Sequence, residues 1–194
     1  MDFQHLWRDP IMLLLFGGSV LSWVLIVERI IALQMSKRAD RAFVPGMVDD
    51  ASPLANFHAE VARHAGAGRE YVATILDTAI TRQRQRLEGT LPIIGIIGNV
   101  APYFGLLGTV VGIIQAFTAI ETANDMSPTI VAAGIATALF TTVAGLVVAI
   151  PAVTAHHLMM VAISRRVAEW ESTVAIWLPD STTEEARHEL IAHR

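Results

Sequence analysis

The chain has 194 residues, 53% hydrophobic and 16% charged, with no cysteine and a formal net charge of −4. Disulfides, thiol nucleophiles and thiolate metal sites are thereby excluded, and no basic block is long enough for a nucleic-acid patch, so no nucleic-acid partner is expected. Once the long apolar segments are set aside, too little chain remains for a separate soluble catalytic domain, which mostly needs about 100 residues or more.

Residues 1–33 are read as an N-terminal segment and first span. Met1 to Pro10 carries Asp2 and Asp9 with the single basic Arg8, so it lacks the basic n-region of a signal peptide, and no A-x-A signature follows. Ile11 to Val27 is therefore expected to stay in the protein as an uncharged span, with Ile30, Ile31 and Leu33 beyond Glu28-Arg29 reaching the interface and Trp7 as an interfacial anchor. Residues 34–90 begin polar and basic at Lys37, Arg38 and Arg41, and break around Pro45-Gly46 and Ser52-Pro53. Val72, Ile75, Leu76, Ala79 and Ile80 then recur at i, i+3, i+4, i+7 and i+8, which predicts a helix running from about Glu70 into the membrane. Its other face carries Arg82, Arg84 and Arg86, which fit a charged vestibule, an anionic-lipid contact or a solvated face beside the bilayer.

The segments Gly89 to Ile120 and Met126 to Ser164 contain no Asp, Glu, Lys or Arg. A helix needs about 20 apolar residues to cross a hydrocarbon core of roughly 30 Å, and each segment exceeds that. Residues 91–121 are the second span, 122–128 a short loop, and 129–163 a third span with an extension. The 39 residues from Met126 to Ser164 would measure roughly 58 Å as one helix. The third helix must therefore project beyond the membrane, leaving His156 and His157 at or below the inner interface as interfacial residues or as a proton relay. In residues 164–194, Val167, Trp170, Val174 and Trp177 continue a helical stripe that packs on a neighbour, and a polar tail follows Pro179.

Arg8 is the one basic residue before the first span, and none lies between Glu121 and Pro128. Lys and Arg in short loops mark the cytoplasmic side. The fold class is thus an all-α integral membrane protein with three transmembrane helices, N-out and C-in, whose long second and third helices extend into a cytoplasmic helical bundle.

Gly105, Gly108, Thr109 and Gly112 line one side of the second span, and Gly134, Ala138, Thr142, Gly145 and Ala149 one side of the third. Small residues let helix backbones approach closely in lipid, and hydroxyls bond across the gap; the spacing alone fits simple bundle packing as well as a conducting path. Neither charge-free segment, Gly89 to Ile120 or Met126 to Ser164, holds an Asp, Glu or Lys, while a proton-driven machine needs a titratable group inside the membrane. Either the protein is a non-conducting scaffold, or another subunit brings the carboxylate. Catalysis is not expected, since the G-x-S-x-G and H-E-x-x-H elements are missing from the sequence.

The run Ala101-Pro102-Tyr103-Phe104-Gly105-Leu106-Leu107-Gly108-Thr109-Val110-Val111-Gly112-Ile113, followed by the run from Gly134 through Thr141-Thr142 and Gly145 to Pro151-Ala152, resembles the paired signature of the MotA/TolQ/ExbB proton-channel family. It is most similar to the ExbB and TolQ branch, as are Ser22-Trp23 and Glu28-Arg29, and the resemblance covers roughly residues 10 to 165. It implies a homopentamer in the bacterial inner membrane, its second and third helices lining a pore that holds the helices of an ExbD-like or TolR-like single-span dimer. A partner Asp would carry the proton, and energy would pass to a TonB-like or TolA-like protein, with membrane lipids as further partners and no cofactor or metal. Thr109 and Thr142 match the family's two pore threonines, with Thr137 and Thr141 on the same path; Thr137 stands where many members carry Glu. A flagellar stator subunit is the weaker match, because its four-span layout is missing.

Overall fold

The computed structural model describes residues 10–42, 52–64, 66–123 and 128–178. The expected anchor Trp7, the break at Pro45-Gly46, most of the 122–128 loop and the tail after Pro179 lie outside the described residues. The described chain is all helix: α1 (Pro10–Arg41), α2 (Pro53–Arg63), α3 (Arg69–Glu88), α4 (Leu91–Ala123) and α5 (Pro128–Trp177). Three of these, α1, α4 and α5, are long and apolar enough to cross a membrane. The chain divides into two compact units, one of Met1–Glu28 with Thr90–Met159 and one of Arg29–Gly89 with Met160–Arg194, so α1 and α5 contribute to both.

In the first unit, α1, α4 and α5 meet at a small core of Leu15, Ala101, Val148 and Ala149, flanked by Ile11, Ile97, Phe104 and Ala144. The opposite faces are apolar and open: Tyr103 is 70% exposed, Val147 65% and Ile114 59%. Such surface suits hydrocarbon, where exposing a large apolar side chain carries no penalty. Pro102 and Pro151 sit inside α4 and α5 without ending either helix.

The second unit is built like a water-soluble domain. The stripe expected on α3 is real: Val72, Leu76 and Ile80 are buried, joined by Leu87. So is the stripe on α5, where Val167, Trp170 and Val174 are buried and Trp170 meets the edge of Phe57 with ring centroids 5.8 Å apart. The break at Ser52-Pro53 proves to be a helix start: the Ser52 hydroxyl caps the Ala55 N–H of α2, and Pro53 takes a first-turn position where its missing N–H does no harm. At the centre lies the buried carboxylate of Asp40. Its Oδ1 accepts from the Ser52 hydroxyl at 2.8 Å and the Leu54 N–H at 3.3 Å, and its Oδ2 from Arg166 Nη2 and Trp170 Nε1, both at 2.7 Å.

One expectation is corrected. The helix beginning near Glu70 does not continue into the membrane, because α3 ends at Glu88 and α4 starts afresh at Leu91. A helix end leaves its last carbonyls without donors, and here Arg29 supplies them: its Nη1 lies 3.0 Å from the Arg86 carbonyl and 3.1 Å from that of Leu87. Gly89 makes room for this guanidinium, since a Cβ there would stand 2.5 Å from Arg29 Nη2. The Thr90 carbonyl then accepts from the Ile93 and Ile94 N–H groups and opens α4.

Candidate functional site

The site grows out of the face that α4 and α5 turn to each other. On α4 this face carries Gly95, Gly98, Ala101, Gly105, Gly108 and Gly112 at intervals of three or four residues, so all lie on one side of a 3.6-residue helix. Each glycine is matched to an atom of α5. A Cβ on Gly105 would lie 2.9 Å from the Thr141 carbonyl oxygen and 3.2 Å from the Gly145 Cα, and one on Gly145 would lie 2.7 Å from the Ala101 carbonyl oxygen. A Cβ on Gly112 would lie 2.8 Å from that of Ala138, and one on Gly98 2.9 Å from the Val153 backbone nitrogen. The two backbones are in contact, and any larger residue would push them apart.

Close approach brings hydroxyls of one helix to carbonyls of the other. Thr141 and Thr142 both donate to the Gly105 carbonyl of α4, at 3.2 and 3.1 Å, and Thr141 also reaches the Ala138 carbonyl at 2.7 Å. One turn along α4 from Gly105, the buried Thr109 donates to the Leu106 carbonyl at 2.6 Å. One turn along α5 from Thr141, the exposed Thr137 donates to the Ala133 carbonyl at 2.9 Å. All four threonine hydroxyl protons are turned to backbone carbonyls. Each oxygen keeps lone pairs, so these hydroxyls accept hydrogen bonds as they stand and donate only if one rotates away from its carbonyl.

Gly134 belongs to the same contact through Ala116, a partner that the spacing of larger motifs does not reveal. At the other end the ring of His156 is half-buried, and a Cβ on Gly95 would lie 3.1 Å from its Cδ2 and Nε2. His157 is exposed; its Nδ1 stands 2.9 Å from the Val153 carbonyl and its ring meets that of His156 edge to face. Among the described residues, no three His, Asp or Glu side chains gather in a metal-holding group.

Arg82, Arg84 and Arg86 belong to the other unit. All three are exposed on α3, and the two-residue spacing sets Arg84 on the opposite side of the helix from Arg82 and Arg86. Arg84 Nε bonds Glu88 Oε1 at 2.7 Å, and this hydrogen bond holds its guanidinium above the ordinary arginine value.

Comparison with known proteins bears on this geometry. The family described as the MotA/TolQ/ExbB proton channel family matches residues 49–172. The chain is 33% identical over 174 residues to the Tol-Pal system protein TolQ of Pseudomonas aeruginosa, spanning 76% of this chain and 75% of that protein. It is 29% identical over 182 residues to the biopolymer transport protein ExbB of Neisseria meningitidis, spanning 78% and 83%. A shorter match, 36% identical over 107 residues, joins it to the biopolymer transport protein exbB1 of Vibrio cholerae and covers 47% of that relative.

Proposed function

Because the chain belongs to the MotA/TolQ/ExbB proton channel family, we propose that it is the pore-forming, ExbB-like subunit of an inner-membrane motor driven by the proton-motive force. Five copies surround the transmembrane helices of a dimeric ExbD-like partner and energise a TonB-like protein for transport across the outer membrane. The N-terminus and residues 122–128 face outward, while residues 34–90 and 164–194 lie in the cytoplasm, with Arg82, Arg84 and Arg86 near the inner mouth. The distribution of Lys and Arg supports this orientation.

The observation that carries the reading is that Thr141 and Thr142 of α5 bond the Gly105 carbonyl of α4, with Thr109 and Thr137 as further hydroxyls, on a pair of segments without Asp, Glu, Lys or Arg. The pair can host a proton carrier and cannot be one by ionisation of its own carboxylates. A partner Asp entering protonated would donate to a threonine lone pair with no rearrangement. The same Asp as an anion needs a donor, and Thr142 can provide one only by leaving the Gly105 carbonyl. Surrendering that bond costs about 1 kcal/mol, so these hydroxyls favour the neutral acid and resist the bare charge. The membrane potential supplies about 2.3 kcal/mol per charge per 100 mV, enough to drive protonation and release on neighbouring copies in turn and to rotate the pentamer about its partner.

Thr142→Val keeps the shape and removes the hydroxyl. Energy transduction by the assembled complex is expected to fall steeply, and full transduction at normal assembly would overturn the reading. A TolQ-like role in envelope integrity, with TolR-like and TolA-like partners, is favoured by the long match to the Pseudomonas aeruginosa TolQ; the periplasmic protein that co-purifies decides between the two systems.

A further inference from the structure

The second unit carries six exposed cations that pair with no carboxylate among the described residues: Lys37, Arg38 and Arg41 on α1, Arg82 and Arg86 on α3, and Arg165 on α5. The acids closest to them in sequence are already engaged. Asp40 and Glu169 both hold Arg166, and Glu88 holds Arg84. Arg84 is set apart from the other two arginines of α3: its hydrogen bond to Glu88, the charge of Glu88 and that of Glu171 on α5 all hold it above the ordinary arginine value. Arg82 and Arg86 stand on the opposite side of the helix, one turn apart, with Cβ atoms about 5 to 6 Å from each other. Like charges at that spacing destabilise a helix, and an anion set between them removes the repulsion.

The cations begin where exposed apolar side chains end. On α1, Ile31 and Met35, 51% and 65% exposed, are followed on the same side by Arg38, and on α5 the 49% exposed Val161 is followed one turn on by Arg165. A helix side that passes from apolar to cationic within a turn suits the boundary between hydrocarbon and headgroups, where long basic side chains lay their stems on apolar surface and turn their charge to water or phosphate.

We propose that these cations seat the headgroups of anionic phospholipids, with Arg82 and Arg86 closing on one lipid phosphate. A guanidinium fork matches phosphate oxygens two at a time, and two forks one turn apart can share a single phosphodiester. A zwitterionic headgroup brings its own ammonium into this field and is repelled, so the site selects lipids with net negative charge. The inference requires only that α1, α4 and α5 lie in a bilayer, and it holds whichever envelope system the chain serves.

The test is made on the full-length chain in nanodiscs of equal parts phosphatidylglycerol and phosphatidylcholine, with native mass spectrometry of the released protein counting the lipids it keeps. Phosphatidylglycerol is expected to be retained in preference to phosphatidylcholine. Arg82→Gln combined with Arg86→Gln should cut that retention at least about fivefold, the worth of one basic residue near an anionic membrane surface. Arg84→Gln should leave it unchanged, and Arg82→Lys combined with Arg86→Lys, which keeps both charges, should restore most of it. Equal retention of the two lipids overturns the proposal, as does a loss in Arg84→Gln as large as in the double glutamine variant. Displacement of phosphatidylglycerol by added inorganic phosphate also overturns it, by making the site one for a free anion.

Discussion

The two units hold their helices together by opposite means. Around Gly105 and Gly145 nothing large is buried: α4 and α5 touch backbone to backbone, and the polar bonds across the gap run from threonine hydroxyls to a carbonyl. Around Asp40 the helices are held apart by bulk, with Trp170 and Phe57 filling the space and a buried carboxylate bonded by an arginine, an indole, a serine and a backbone amide. Each solution suits its proposed solvent. In lipid, apolar burial draws no helices together, and association rests on close packing and hydrogen bonds. In water, burying a tryptophan and a phenylalanine is strongly favourable, and a buried charge is tolerable once all its lone pairs are matched.

The contrast yields graded expectations. Asp40→Ala should have the largest effect, about 3 kcal/mol, because it leaves the buried Trp170 Nε1 without its acceptor and removes the carboxylate paired with Arg166, which keeps Glu169. Thermal unfolding in detergent, read by far-UV circular dichroism, checks it, and a small change would mean that bulk alone holds this unit. Gly105→Leu should follow closely at about 3 kcal/mol by forcing α4 from α5. It should also lower recovery of the intact complex, whereas Leu106→Ala on the exposed face of α4 should leave recovery unchanged. Arg29→Gln should cost about 1 to 2 kcal/mol by removing the donor to the Arg86 and Leu87 carbonyls. Amide exchange at residues 86–90 should then quicken before the rest of α3 is affected. Ser52→Ala should cost about 1 to 2 kcal/mol, because it removes both the cap on Ala55 and a donor to the Asp40 carboxylate. Arg84→Gln should leave stability unchanged, because its bond to Glu88 is exposed.

The sequence is most legible where a feature depends on neighbours along one helix. The stripes at Val72, Leu76 and Ile80 and at Val167, Trp170 and Val174 follow from the helical period, and the length of the charge-free segments announces the spans. Gly105, Gly108, Thr142 and Gly145 stand out because small and hydroxyl residues recur on one side. What escapes is whatever depends on a distant partner. The end of α3 is fixed by Arg29, 57 and 58 positions from the carbonyls it caps, so the periodic pattern before Gly89 gives no warning of the break. Asp40 reads as one acid among Lys37, Arg38 and Arg41, and its four donors come from α5 and the start of α2. Gln115 is inconspicuous in an apolar run until it meets Thr137 and Thr141 along one groove between α4 and α5.

The central claim is that this chain hosts a carboxylate brought by another protein. Native mass spectrometry of the complex, drawn from its own membrane in mild detergent, tests it most directly. Five copies of this chain with two copies of a single-span protein carrying an intramembrane Asp are expected. A homo-oligomer with no such partner would contradict it, leaving a closely packed scaffold with no acid to carry the proton.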